Sequence, residues 1–434
     1  MTFYDLVQKV VIKNKEKVFL ICDEKKYTYE MLLDDINTVK DKLIDRNIIN
    51  RKIGIVNSNI YLQIIYFIGI LESKNIPILI NIEIPKDTIE LLKEKDNLII
   101  LKNNLDISSR EIDDFKFEGF GVLSSGTTGL PKIIFRSEES WIKGFDYQSQ
   151  IFNLNKNSIG FIHGSLSFSA NLNYLIHFIY LGATVISSEK KMVKNWIYII
   201  EKEKVNSIFL VPSKYKIILR RNNIILSNIK SVISAGEKLD MSIIKDMREM
   251  FCKGKIVEYY GCSETSFISY NIFKDEVNYT RGIIFPEVTV KNEGHNLYVN
   301  SPYLAQGYNA YYKVNDKGYI QDNKLILIGR YDNVINRSGV KVNLKNIESK
   351  LNKLNYLDQY VVFSKKDVIH GEEVCAALVL KDKKVTKIKI IRDLRINLSK
   401  YEIPKIIILD SIPLNINGKI DIINLKNIEE KNIN

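Results

Sequence analysis

The sequence of 434 residues has little of what would place it in several broad classes. Its four cysteines, Cys22, Cys252, Cys262 and Cys375, stand far apart or lack His and Cys partners at ligand spacing. Neither a disulfide framework nor a zinc site is expected, and the usage fits the reduced thiols of a cytoplasmic protein. Long apolar runs are missing: Ile64 to Leu71 and Tyr174 to Ile186 are too short to cross a bilayer, and the second contains His177. The start, Met1-Thr2-Phe3-Tyr4-Asp5-Leu6, carries an acid early and has no basic segment followed by an apolar core, so no signal peptide is expected. Clustered cations are missing as well. Lys and Arg number 63 against 51 Asp and Glu, a formal charge of +12, yet they are dispersed, and the most basic run, Lys381 to Lys389, is broken by Val and Ile. A nucleic-acid footprint would gather its cations on one face or in a tail, so no nucleic-acid partner is expected. No internal repeat is visible.

What is present is a globular chain, 45% hydrophobic, long enough for two or more domains or one large domain with an appendage. Residues 4 to 13 show helix-spaced apolar positions, Lys17 to Cys22 reads as a strand, and Thr28 suits the N-cap of a following helix. Short apolar strands then alternate with helix-length segments: Lys52–Val56, Ile78–Asn81, Asn97–Leu101, Phe120–Leu123, Ser158–Ile162, Thr184–Ile186, Ser207–Val211, Ser231–Ser234 and Lys255–Tyr260. That is the rhythm of parallel βαβ layers. From about residue 283 closely spaced strands (Val288–Lys291, Asn296–Asn300, Lys324–Ile328) predict an antiparallel or barrel-like subdomain. Beyond Arg330 to Asn333, a mix of helices (Leu344–Leu354, Lys387–Leu398) and strands (Gln359–Phe363, Val374–Leu380) predicts a small α+β domain over 330–434, after a large one over 1–329. The terminal Glu429 to Asn434 is expected to fray.

The stretch with the most chemistry is Ser124-Ser125-Gly126-Thr127-Thr128-Gly129-Leu130-Pro131-Lys132. It follows a strand-like segment and offers hydroxyls, unhindered backbone N–H groups and one cation, which polyphosphate oxygens require. It is not a Walker loop, because Pro131 precedes Lys132 where that motif needs Gly. The same residue types also make an ordinary surface turn. Further on, Glu258-Tyr259-Tyr260-Gly261-Cys262-Ser263-Glu264 ends a strand with an aromatic that can stack on a purine, a close-approach glycine and a carboxylate that can hold magnesium. A core tyrosine beside a solvated glutamate is the plainer account of those residues. Gly329 to Val342 supplies Arg330, a guanidinium suited to ribose or phosphate oxygens, in what is also a simple interdomain linker. Lys419 follows a Gly turn in Ile412 to Asp421 and taken alone is a surface lysine.

Together the stretches SSGTTGLPK, YYGCSE, GRYDNVINRSGVKV and PLNINGKID, in this order, resemble the motifs of the adenylate-forming superfamily of acyl- and aryl-CoA synthetases, peptide-synthetase adenylation domains and luciferases. A weaker fifth match is Ser301 to Tyr308, and the resemblance spans Tyr27 to Asp421. It implies an α/β fold: a large N-terminal domain of two wound sheets plus a distorted β-barrel, followed by a small mobile C-terminal domain. By the same resemblance Ser124, Ser125, Gly126, Thr127, Thr128, Gly129 and Lys132 would hold the β- and γ-phosphates of ATP. Gly236 and Glu237 would flank the adenine, Tyr260 would stack on it next to Gly261, Ser263 stands where Thr is usual, and Glu264 would bind Mg2+. Arg330 would contact the nucleotide, Asp332 would be the hinge, Gly339 would line a thiol tunnel, and Lys419 would complete the adenylation site.

The implied activity is that of an AMP-forming acid–thiol ligase. A carboxylate attacks the α-phosphate of ATP and pyrophosphate leaves; the acyl-AMP then passes to the thiol of coenzyme A, or to the phosphopantetheine arm of a separate acyl-carrier protein, since no carrier domain is present in the chain. A non-catalytic nucleotide-binding relative is the reading from another class, disfavoured by the presence of both Lys132 and Lys419. For the acid, the resemblance places Phe168 and Ser169 in the acyl pocket. Amino-acid-activating relatives carry an Asp where Ser169 stands, so an α-ammonium would lack its counter-charge here, and a fatty or aromatic acid is expected. Many CoA ligases have His at the place of Phe168; the nearby His163 is either its substitute or a strand-end histidine. The chain departs from the pattern in Ile133, in its short length and in the segment Gly318 to Lys324, a contracted ribose motif whose Asp322 is the candidate ribose ligand.

Overall fold

The computed structural model describes residues 1–102, 117–124, 131–190, 192–221, 224–239, 241–273, 281–308, 310–330, 334–337, 340–367, 371–415 and 419–431. The chain divides into two compact units. The first comprises Met1–Asn292, Tyr298–Lys313 and Ile320–Ile326, the second Glu293–Leu297, Val314–Tyr319 and Leu327–Asn434.

In the first unit six strands run parallel in the order Val18–Cys22, Thr184–Ser187, Ile159–Ile162, Ser207–Leu210, Ser231–Ala235 and Lys255–Cys262. Lys25–Thr28 covers one edge as an antiparallel hairpin arm. A second sheet has the order Ile99–Leu101, Lys52–Val56, Ile76–Ile80, Phe120–Ser124 and Lys132–Arg136, parallel except for the last pair. These strands are near-continuous Ile, Val, Leu and Phe, as the parallel strands Ile76–Ile80 and Ser207–Leu210 show by being buried at every position. The helix Ile60–Glu72 is apolar nearly all round and accordingly buried nearly throughout. It packs on the second sheet and also touches Val18–Cys22 of the first, with Asn59 capping its start through the Leu62 amide. Thr28 caps the helix Tyr29–Asp45 through the Met31 amide, as its place in the sequence predicts.

Two expectations are corrected. Antiparallel pairing begins at Ser266, not near 283: Lys255–Cys262 turns straight back into Ser266–Phe273, and Arg281–Ile284 and Lys324–Arg330 continue antiparallel beyond it. The helices expected to reach Leu354 and Leu398 stop at Leu351 and Arg395. At the first of these ends the amides of Lys353 and Leu354 bond three residues back, so the last apolar residues of the helical pattern sit in a tightened turn.

The second unit contains the sheet Val340–Asn343, Val334–Arg337, Gly371–Leu380 and Leu357–Asp367, with Lys405–Ile408 parallel to Gly371–Leu380. Alternate residues of its central strand feed two cores. Val374, Ala376 and Leu378 face the helices Leu344–Leu351 and Lys387–Arg395, while Cys375, Ala377 and Val379 pack with Ile412 and Leu425. None of the four cysteines forms a disulfide. Among the described residues no helix is long and apolar enough to cross a membrane.

Candidate active site

Parallel strands present their carboxyl ends to one side, the side on which open α/β sheets bind ligands. Phe120–Ser124 and Lys132–Arg136 pair in register with Ser124 opposite Lys132, and the Ser124 hydroxyl donates to the Lys132 carbonyl at 3.5 Å. Ser125, Gly126, Thr127, Thr128 and Gly129 lie outside the described residues. The Lys132 side chain is exposed and its Nζ donates to the Tyr308 hydroxyl at 3.1 Å. That bond, with the Glu264 carboxylate nearby, holds the Lys132 ammonium above its ordinary pKa and so charged.

Glu264 stands at the tip of the hairpin between Lys255–Cys262 and Ser266–Phe273. Half-buried Tyr259 meets Phe152, Phe209 and Phe267 with its ring, and the next residue, Tyr260, likewise half-buried, falls on the opposite face. Register shifts between Tyr260 and Gly261, and a side-chain carbon at Gly261 would lie 1.9 Å from the Ser266 carbonyl oxygen. Only glycine allows the two backbones to close there. The Cys262 thiol meets the Thr265 hydroxyl at 3.1 Å within the turn, and the Glu264 carbonyl accepts from the Ala305 amide at 2.8 Å. Burial, and then the Glu264 carboxylate nearby, push the pKa of the Tyr312 hydroxyl up. Among the described residues no group of three His, Cys, Asp or Glu could enclose a metal. One carboxylate at a turn instead fits Mg2+, which keeps waters and substrate phosphates as most of its ligands.

Arg136 joins these parts and was not singled out in the sequence. It is 1% exposed; its Nη1 donates to the Ser263 carbonyl at 2.6 Å, its Nη2 to the Tyr303 carbonyl, and its guanidinium lies 6.0 Å from the centre of the Trp141 ring. Burial lowers its pKa to about 10, which still leaves it charged at neutral pH. The signal that could have found it is alternation, which puts Arg136 on the face of buried Ile134.

The other candidates fall as follows. Ala235 pairs with Tyr259 at the end of Ser231–Ala235, and Gly236 then turns the chain with φ +91°, leaving half-buried Glu237 beyond it. Phe168 is the half-buried N-cap of the helix Ser169–Leu181, with Ser169 its first residue. The loop before it is tied to the helix Ile60–Glu72, since the Gln63 side-chain carbonyl accepts from the Leu166 amide at 2.8 Å and from the Ser165 hydroxyl. The His163 ring packs on Trp196 with centroids 4.1 Å apart, and its carbonyl accepts from Lys214 Nζ at 2.6 Å. Lys214 was also missed; burial lowers its pKa to about 8. Asp322 and Asn323, both with φ > 0, form the two-residue turn between Tyr312–Gln321 and Lys324–Arg330, which gives the contracted segment a structural cause. In the second unit, Lys419 donates its amide to the Asn415 side chain at 3.0 Å beside the Leu414–Ile420 bridge. Arg330 ends the strand Lys324–Arg330, and Asp332 and Gly339 lie outside the described residues.

The comparisons with known proteins agree with this geometry. The family model of the AMP-binding enzymes matches residues 122–308, which run from the cradle strand to Tyr308. The chain is 30% identical over 327 residues to a putative long chain fatty acid-CoA ligase, VraA, of Staphylococcus haemolyticus, a match that covers 71% of this chain and 69% of the relative. The chain belongs to the family of AMP-binding enzymes. Among solved structures, the fold superposes with a TM-score of 0.83 on ATP-bound MatB from Rhodopseudomonas palustris, at 15% identity and over 100% of both chains. With O-succinylbenzoate coenzyme A synthetase (MenE) from Bacillus subtilis in complex with AMP the TM-score is 0.81, at 18% identity over 97% of each chain. These α/β folds are built, like this one, on large multi-stranded sheets.

Proposed function

We propose that the protein activates a carboxylic acid with ATP, releasing pyrophosphate, and passes the acyl group to the thiol of coenzyme A. The observation that supports the reading is that Tyr308 holds the Lys132 ammonium while the Ala305 amide holds the Glu264 carbonyl, so that one short segment brings a cation and a carboxylate-bearing residue together. Lys132 and the Ser124–Gly129 stretch would hold the β- and γ-phosphates. Tyr260 would stack on adenine beside Gly236 and Glu237, and Asp322 and Arg330 would take the ribose and phosphate oxygens. Glu264 would hold Mg2+, which when bound neutralises phosphate charge as pyrophosphate departs. Lys419 would complete the adenylation site, with Asp332 as hinge and Gly339 in the thiol tunnel for the second half-reaction. The apolar setting of Phe168 and Ser169, the missing anion at Ser169 and the likeness to a putative long chain fatty acid-CoA ligase favour a fatty or aromatic acid.

The test is ATP–pyrophosphate exchange across fatty, aryl and amino acids, followed by thiol transfer with coenzyme A. Exchange is expected with a fatty or aryl acid. Silence with every acid from protein that still binds ATP favours a non-catalytic nucleotide binder, and exchange with amino acids alone overturns the use made of Ser169. Lys419→Ala should abolish exchange while sparing transfer from supplied acyl-AMP to coenzyme A; equal loss of both steps sinks that assignment.

A further inference from the structure

We propose that Tyr308 and Tyr312 are positioning residues, a two-ring clasp that holds Lys132 and Glu264 ready for a magnesium-bound triphosphate. This rests on the reading that Lys132 takes the outer phosphates and Glu264 the metal. The Tyr308 hydroxyl accepts from Lys132 Nζ at 3.1 Å, and Tyr312 lies close enough to the Glu264 carboxylate to feel its charge. The two rings meet edge to face, with centroids 4.9 Å apart and planes at 84°. Each ring is thus fixed by the other, and Tyr308 gives its hydroxyl to a charged group.

The main chain of the same segment is fastened to both partners. The Ala305 amide donates to the Glu264 carbonyl at 2.8 Å, and the Gln306 amide to the Phe135 carbonyl at 2.9 Å. Arg136 grips the Ser263 and Tyr303 carbonyls from beneath. Residues 303–308 therefore strap the hairpin tip to the strand that carries Lys132. A free lysine on the surface has a flexible stem and loses rotamer freedom when it binds a phosphate. Tyr308 takes one of the ammonium's three donors, leaving two for phosphate oxygens, so the phenol need not leave when the ligand arrives. Its removal should weaken the grip on the outer phosphates and leave the rest of the nucleotide untouched.

The test is calorimetric titration of the full chain with MgATP and, separately, with AMP, which lacks the β- and γ-phosphates. Tyr308→Phe is expected to weaken MgATP about five- to tenfold, the worth of one ordinary hydrogen bond, with AMP affinity unchanged. Tyr312→Phe is expected to raise the Mg2+ concentration needed for half-maximal ATP binding by a similar factor. In a Lys132→Met background Tyr308→Phe should have no further effect on MgATP. Wild-type protein that binds MgATP while both single variants match it overturns the clasp alone. A parallel fall in MgATP and AMP affinity makes the tyrosines merely structural and also overturns it. Wild-type protein that binds neither nucleotide overturns the adenylation reading, and the clasp with it.

Discussion

Two cations with little access to water, buried Arg136 and half-buried Lys214, are treated differently by the protein. Beside the strand that carries Lys132, Arg136 donates to two carbonyls, those of Ser263 and Tyr303, and its guanidinium faces Trp141. At the end of Ile159–Ile162 Lys214 donates to one carbonyl, that of His163, and the Glu83 carboxylate acts on its charge. A planar guanidinium can bridge two chain segments and stays charged even when burial lowers its pKa to about 10. An ammonium lowered to about 8 lies close to neutral pH and ties down a single strand end. Arg136 is thus part of a framework, whereas Lys214 is a local cap whose charge state depends on conditions.

The comparison breaks first at Arg136. Arg136→Met removes the donors from two carbonyls and leaves them without partners, so we expect a loss of about 3–5 kcal/mol in denaturant unfolding. Binding of MgATP should fall with it, because the hairpin tip and the Tyr303–Tyr312 segment lose their common anchor. A variant within about 0.5 kcal/mol of wild type, the range of ordinary surface changes, would show that the framework role is wrong. A smaller effect is expected one turn away. In Gly261→Ala the added carbon meets the Ser266 carbonyl oxygen, which is backbone and cannot swing aside. The hairpin must open, at a cost of roughly 2 kcal/mol and with displacement of Glu264. The check is a higher Mg2+ requirement for ATP binding in a variant that still unfolds cooperatively.

The contrast also separates what the sequence discloses from what it does not. The candidate residues around Lys132 and Glu264 were legible because they are compressed into short stretches: nine residues hold the Ser/Thr/Gly run and Lys132, and seven hold Tyr260, Gly261 and Glu264. Alternating strands and helices disclosed the wound sheets for the same local reason. Arg136, Gln63 and Lys214 were not legible, because each acts through a backbone group far off in the chain: Ser263 for Arg136, Leu166 for Gln63 and His163 for Lys214. A side chain reaching a remote carbonyl leaves no spacing signal. The early start of antiparallel pairing at Ser266 was missed because the turn it requires, Ser263 to Thr265, contains no Gly or Pro to mark it.

Lys214 gives the finest test of the contrast, through pH. Its pKa is lowered from 10.5 in the unfolded chain to about 8 in the fold, because burial disfavours the charged form. Between those values the unfolded chain holds more protons than the folded one, so stability rises with pH across the window and the penalty is fully present below about pH 8. The whole excursion is at most about 3 kcal/mol. In Lys214→Met the buried charge is gone and only one hydrogen bond to the His163 carbonyl is lost, so stability near pH 7 should change by no more than about 1 kcal/mol. The difference between the variant and wild type should then shift in favour of wild type as pH is raised from 8 to 10.5. Denaturant unfolding of both proteins at these pH values is the measurement. A difference that stays constant across the window would mean that Lys214 keeps an ordinary pKa, and the local cap would then be no less robust a cation than Arg136.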